Sequence, residues 1–304
     1  MNTVLILLST YNGERFLREQ LDSLFSQKGV EITVLARDDG SKDTTVSILE
    51  EYVQRTGHMI IIKGENVGAT RSFLALQDAA LKFEADYYAF CDQDDIWLED
   101  KLITAINILE NKNNPDKPAL YMSAYQMVDA SLNKIPTAIK KPRLTLPSAL
   151  ISNCATGCTM VFNRSLLYAS ACVSEDSIIM HDYWMYLVCL AIEGFVYYDT
   201  TPHILYRQHG NNVIGGLNES FCNRWVTRIK KLFKPGDCYK SKLAKRLLSA
   251  KKSQLSNENR EYLRYASTCN RFYSKWKMLT NSENFVFSFD KNLQTIGLIL
   301  TGKF

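Results

Sequence analysis

The 304-residue chain has no run of eighteen or more apolar residues, which excludes a transmembrane helix. Its first apolar segment, Val4-Leu5-Ile6-Leu7-Leu8, has no basic stretch before it and no small-residue cleavage site after it. It therefore reads as a first strand and not a signal peptide. None of the eight cysteines (91, 154, 158, 172, 189, 222, 238, 269) forms a Cys-x-x-Cys pair, and most lie in apolar runs. That argues against a zinc framework and for reduced thiols in a cytoplasmic protein. There is no internal repeat, no low-complexity tract and no Gly-x-Ser-x-Gly nucleophile motif. The net charge of +4 hides an asymmetry: residues 218–304 hold 18 Lys/Arg against 6 Asp/Glu, and residues 1–217 hold 18 against 26. An acidic body of −8 is followed by a basic tail of +12 suited to meeting an anionic surface.

What the chain does have is Cys91-Asp92-Gln93-Asp94-Asp95-Ile96-Trp97, directly after the strand-like Tyr87–Phe90. Three carboxylates in four positions at the end of a buried strand repel one another and are costly to desolvate. A hard divalent cation completed by substrate phosphates offsets that cost. The alternative is an acidic solvated loop in which Asp95 caps a following helix.

The first hundred residues alternate strand and helix patterns: a strand at Val4–Leu8, a helix from about Glu14, a strand at Ile32–Leu35, and a helix through Val46, Ile48, Leu49 and Tyr52. A strand at Met59–Ile62, a helix through Phe73 and Leu76 and the strand Tyr87–Phe90 follow. This is the signature of a mostly parallel sheet flanked by helices. Each polar loop (Ser9–Glu14, Arg37–Asp43, Gly64–Gly68, Asp92–Asp95) follows the carboxyl end of a strand, the edge where such sheets bind ligands. Further on, Lys101–Leu109 reads as a helix, Ala119–Val128 as a strand and 129–150 as an irregular loop. Thr156–Asn163 reads as a strand in which Gly157 permits a close backbone approach. His181–Trp184 opens a helix, and Val196–Tyr198 and Ile204–Tyr206 are strands.

Ser9–Glu14, Arg37–Asp43 and Asp92–Trp97 together resemble the inverting GT-A glycosyltransferases of the large second family, over roughly residues 3–215. With Tyr206-Arg207-Gln208-His209-Gly210-Asn211-Asn212-Val213 the resemblance is to the bacterial rhamnosyltransferase branch. It implies an α/β GT-A, Rossmann-like catalytic domain over 1–217 and a basic helical C-terminal region over 218–304. It also implies metal-dependent inverting transfer of a sugar, L-rhamnose from dTDP-β-L-rhamnose, to a lipid-linked cell-surface polysaccharide acceptor. Donor contacts fall to Thr10, Tyr11, Asn12, Asp38, Asp39, Ser41, Asn66, Gly68, Arg71 and Asp92. Asp38 suits the imide N–H of a pyrimidine; the other reading of Asp38, Asp39 and Asp43 is turn and cap chemistry. Arg71 either meets a phosphate bidentately or pairs with a surface carboxylate.

By the same resemblance Asp94 is the direct ligand of Mn2+ or Mg2+. His209, in a glycine-and-asparagine loop and not on an apolar face, either completes the metal shell or contacts the diphosphate, or is structural. Asp182 is the base, against a helix N-cap as the other reading. His181, Gly157 and Cys158 border the acceptor, although Gly157 and Cys158 read equally well as core. In the tail, Trp225, Ile229, Leu232 and Phe233 fall at helical spacing among Arg224, Arg228, Lys230, Lys231 and Lys234. Leu243, Leu247 and Leu248 repeat the pattern up to Lys252. Residues 224–252 are thus either an interfacial helix on anionic lipid at the inner face of the cell membrane or a packed hairpin with a solvated basic face. Nucleic acid is disfavoured for want of a recognised binding fold. The competing functions are a UDP-hexose or UDP-N-acetylhexosamine transferase and a non-catalytic nucleotide-sugar-binding scaffold.

Overall fold

A computed structural model describes residues 1–112, 116–171, 180–209, 238–285 and 289–304. The chain forms two compact units. The first comprises Met1–Lys141, Ala155–Cys189 and Gly194–His209. The second comprises Pro142–Cys154, Leu190–Glu193 and Gly210–Phe304, so the division falls at 209/210, and 142–154 leaves the first unit.

In the first unit the elements are β1 (Asn2–Thr10), α1 (Leu17–Phe25), β2 (Val30–Asp38), α2 (Thr45–Thr56), β3 (Met59–Lys63), α3 (Ala69–Ala80), β4 (Tyr87–Cys91), β5 (Ile96–Trp97) and α4 (Lys101–Lys112). In the second, α5 (Leu146–Ile151) lies inside the segment expected to be irregular; Thr145 caps its first turn by accepting from Ser148 N at 3.4 Å. The first unit also holds β6 (Ala119–Ser123), β7 (Gln126–Val128), β8 (Val161–Asn163) and α6 (Arg164–Ser170). It is completed by α7 (His181–Ala191), whose last residues belong to the second unit, β9 (Phe195–Asp199) and β10 (Ile204–Arg207).

The main sheet has the order β3-β2-β1-β4-β8-β6-β9, with β3, β2, β1 and β4 parallel and β8 antiparallel to both neighbours. Val4–Leu8 are at most 2% exposed, as a central parallel strand covered on both faces requires. The chain winds outward from β1 to β3 and then returns to place β4 on the other side of β1. The topological switch point is therefore at the ends of β1 and β4. The register pairs Thr10 with Asp38, Asp38 with Lys63 and Leu8 with Cys91, bringing all four polar loops to one edge.

Several expectations are corrected. The single strand 119–128 is two strands in different sheets, since β7 joins β10 and β5 in a second three-stranded sheet. Gly157–Thr159 is a 3-10 turn before β8, and Asp95 leads into β5 and not a helix. The first helix starts at Leu17, after Phe16 and Leu17 close a turn on the Gly13 carbonyl. Helix α7 is apolar all round and buried from Tyr183 to Cys189, as a core helix is.

The described part of the second unit also contains α8 (Tyr239–Ala250), α9 (Asn257–Ser267), α10 (Phe272–Thr280) and α11 (Phe289–Thr301). Leu243 and Leu247 are buried, while Lys242 and Lys245 are exposed. The apolar positions of α8 are thus packed inward while these two lysines face solvent. The Trp225–Lys234 segment lies outside the described residues. Among the described residues, no helix is long and apolar enough to cross a membrane.

Candidate active site

The loop after β1 is held by its neighbours' side chains. Gln93 pairs with the Tyr11 backbone as a strand would: its Oε1 accepts from Tyr11 N (2.8 Å) and its Nε2 donates to Tyr11 O (3.0 Å). Asn12 adopts a φ of +47°, a conformation that short polar side chains tolerate. Its N donates to Ser41 Oγ (2.9 Å) and its Oδ1 accepts from Lys42 N (2.9 Å). Tyr11 itself stays exposed.

The Asp38 carboxylate receives Thr10 Oγ1 (3.2 Å), Ser41 Oγ, Gly40 N (3.1 Å) and Ser41 N (2.9 Å). That fills its acceptor positions with turn chemistry, so a pyrimidine imide there has to displace one of these donors. Gly40 closes the turn at φ +82°. Asp39 is 2% exposed, ion-pairs with Arg37 and accepts from Val67 N (3.0 Å) and Gly68 N (2.9 Å), tying the loop after β3 to β2. Thr10, Asp38 and Asp39 thus use their side chains to set loop positions. Tyr11, Asn66, Gly68 and Arg71 stand exposed around them.

In the acidic run the three aspartates occupy different environments. Asp92 is half-buried and its carboxyl is pushed up to about 7, by burial first and then by the charges of Asp94 and Asp182. Asp94 Oδ2 lies 2.8 Å from His209 Nε2, both partly accessible. Asp95 is buried; its Oδ1 accepts from Arg207 N (3.0 Å), and its own N donates to Gln20 Oε1 (2.9 Å). A carboxylate oxygen of Asp92, one of Asp95 and Cys158 Sγ lie within 4.8 Å of one another. Burial, followed by the two carboxylates, pushes the Cys158 thiol up, so it stays protonated and is a poor metal ligand. The Asp94–His209 pair, with carboxylate and imidazole donors at an accessible edge beside a second carboxylate, fits Mn2+ or Mg2+ far better.

Sequence reading missed the residues that hold this run in place. Arg207 is 1% exposed, donates through Nε to Asp94 O (2.9 Å), through Nη1 to Ala130 O (2.7 Å) and through Nη2 to Glu19 (2.7 Å), and lies 4.4 Å from the Phe16 ring centroid. Gln20 and Ser23 look like ordinary helix surface but are buried, and Ser23 Oγ accepts from Trp97 N (3.1 Å). Lys101 is wholly buried with Nζ 3.3 Å from the Trp97 ring centroid, and burial lowers it to about 7. A polar residue on a predicted helix face carries no signal of what it will meet.

Asp182 sits in the first turn of α7, one residue inside the helix and not at its cap. Its Oδ2 accepts from Gly157 N (3.0 Å) and its Oδ1 from Tyr183 N (2.6 Å). Burial raises its carboxyl to about 6, against the opposing pull of those two N–H groups. That places a carboxylate that is ionised at neutral pH, yet basic enough to accept a proton, close enough to Asp92 to shift it. His181, expected beside the acceptor, is a core ring: 4% exposed, stacked on Phe73 at 4.0 Å and edge-on to Phe90 at 4.6 Å. Both its nitrogens lack hydrogen-bond partners among the described residues, and burial lowers it to about 3, so it is neutral. Gly157 is needed there because a Cβ would stand 3.0 Å from His181 Nε2 and 3.5 Å from Asp182 Cβ.

A mostly parallel sheet with its acidic loop at the switch point and a buried carboxylate behind it is the GT-A-like α/β fold of sugar transferases. Residues 5–168 match the family described as glycosyl transferase family 2. The chain is 32% identical over 224 residues to the "dTDP-rhamnosyl transferase RfbG" of Shigella flexneri, covering 70% of this chain and 75% of that one. It is 28% identical over 190 residues to the "UDP-Glc:alpha-D-GlcNAc-diphosphoundecaprenol beta-1,3-glucosyltransferase WfgD" of Escherichia coli, covering 62% and 69%. Its fold is similar to S. aureus TarS 1-349 in complex with UDP-GlcNAc (TM-score 0.57, 15% identity, 98% and 90% covered). It is also similar to a Pyrobaculum calidifontis mannosyltransferase in complex with GDP-Man and Mn2+ (TM-score 0.53, 15% identity, 99% and 85% covered). The chain belongs to glycosyl transferase family 2 and is a glycosyltransferase.

Proposed function

We propose that this glycosyltransferase moves L-rhamnose, with inversion, from dTDP-β-L-rhamnose to a hydroxyl of a lipid-linked cell-surface saccharide, giving an α-L-rhamnoside. The observation that carries the chemistry is the convergence of Asp92, Asp94 and Asp182 at the switch point. The identity to the S. flexneri relative favours the sugar. In this reading Asp182 takes the proton of the acceptor hydroxyl as its oxygen bonds to the anomeric carbon. The bond from that carbon to the diphosphate oxygen breaks on the opposite face, and the electron pair leaves with dTDP. No covalent enzyme intermediate is needed. Asp94 and His209 would hold a Mn2+ or Mg2+ ion, which when bound neutralises the charge on the departing diphosphate. Asp92 faces the ribose or the same ion, and Tyr11, Asn66 and Arg71 line the donor. A membrane-linked acceptor places the enzyme at the inner membrane face.

A UDP-hexose donor is the second reading, because the E. coli relative is described as using UDP-Glc. Thermal stabilisation by dTDP-rhamnose, UDP-glucose and UDP-N-acetylglucosamine, with and without Mn2+, separates them. A metal-dependent rise for dTDP-rhamnose alone is expected. A rise for a UDP-sugar alone discards rhamnose and keeps the class, and no rise with any nucleotide favours a non-catalytic scaffold.

A further inference from the structure

We propose that the outward face of α10 docks on an anionic lipid bilayer through Phe272, Tyr273 and Trp276. These side chains are 86%, 59% and 60% exposed, whereas Ser274 and Met278 on the same helix are buried. At 100° per residue the three aromatics fall within one 100° sector, opposite the buried pair. Soluble proteins rarely leave three large rings side by side in water, and such a face marks an interaction site.

The surroundings indicate the partner. Residues 262–282 contain Arg264, Arg271, Lys275 and Lys277 and no Asp or Glu. Arg264 and Arg271 are exposed, and Lys277 Nζ lies 5.6 Å from the Tyr273 ring centroid and 5.8 Å from that of Tyr265. Lys275 Nζ is used on the Leu300 carbonyl (2.8 Å), which brings the 56%-exposed Leu300 of α11 alongside. The carboxylates that border this stretch in sequence are Glu261, which accepts from Tyr265 Oη, and Glu283, which is half-buried. Phenylalanine and leucine offer apolar surface, tryptophan and tyrosine suit the headgroup level, and the flanking cations meet anionic phosphates. A convex helix face crowned by a ring with no polar atom suits insertion between lipids better than the charged groove that single-stranded nucleic acid requires. The proposal rests on exposure and charge alone, not on the donor or acceptor proposed above. It places a membrane contact at 264–277, beyond the 224–252 segment expected from the sequence.

The test is co-sedimentation of the full-length protein with phosphatidylcholine vesicles, with and without phosphatidylglycerol, at low and high salt. Binding that requires the anionic lipid and weakens with salt is expected, falling by at least about tenfold in Phe272→Ser/Trp276→Ser. That variant should keep the wild-type melting temperature and donor binding, because both side chains are exposed. A blue shift of tryptophan emission on vesicles should vanish in Trp276→Phe while binding persists. Three results overturn the proposal: no vesicle binding by the wild type, equal binding by the double variant, or aromatic-dependent binding of oligo-dT or of a second copy in place of vesicles.

Discussion

Asp182 carries two opposed requirements, and both are measurable. Its carboxyl titrates near 6 in the fold and at 3.8 as a free side chain, so the folded state binds more protons between those values. The stability that Asp182 contributes is therefore full below pH 3.8 and is lost as pH rises through 6, by about 3 kcal/mol for a shift of roughly two units. Asp182→Asn removes that cost at pH 8 but loses one acceptor for Gly157 N or Tyr183 N, worth about 1 kcal/mol. The variant is expected to melt a few degrees above the wild type at pH 8 and no higher near pH 4, with transfer abolished. In the wild type, kcat/KM should fall about tenfold per pH unit below 6, where the proposed base Asp182 is protonated. For the proposed metal pair, Asp94→Ala and His209→Ala should each cost at least about 100-fold in kcat/KM without lowering the melting temperature of the metal-free protein. Chelation should abolish transfer and Mn2+ or Mg2+ restore it; transfer that survives chelation would remove the ion from the reading.

At the scale of elements, the site depends on contacts between loops distant in sequence. Gly157→Ala forces a methyl against a histidine ring that Phe73 and Phe90 hold on two sides, so the neighbour cannot yield. A loss of about 1–3 kcal/mol in chemical denaturation is expected, together with a lower kcat, because Asp182 moves with the helix start. Gln93→Ala releases the Tyr11 backbone at an exposed position, so KM for the donor should rise severalfold with little change in stability. Arg207 behaves differently again. A buried guanidinium serving Asp94 O, Ala130 O and Glu19 makes Arg207→Met costly by about 3–5 kcal/mol, and loss of cooperative unfolding is the expected result.

For the whole molecule, the two compact units predict more than one calorimetric transition, and donor with Mn2+ should raise only one of them. A single transition shifting as a whole would contradict that division. The sequence by itself determined the alternation of strands and helices, the parallel sheet and the set of loops at its carboxyl edge. Hydrophobic period and turn chemistry are local, and Val4–Leu8, Gly40 and the Asp92–Asp95 run announce themselves within a few residues. Only the tertiary structure decided how the polar side chains divide between holding and reacting. Asp38 and Asp39 turned inward to fix loops, and His181 became a core ring. Gln20, Gln93 and Arg207 became the supports of the acidic run. Burial and partner geometry, which assign those roles, come from segments as far apart as Glu19 and Arg207, and no local pattern in either segment specifies their meeting.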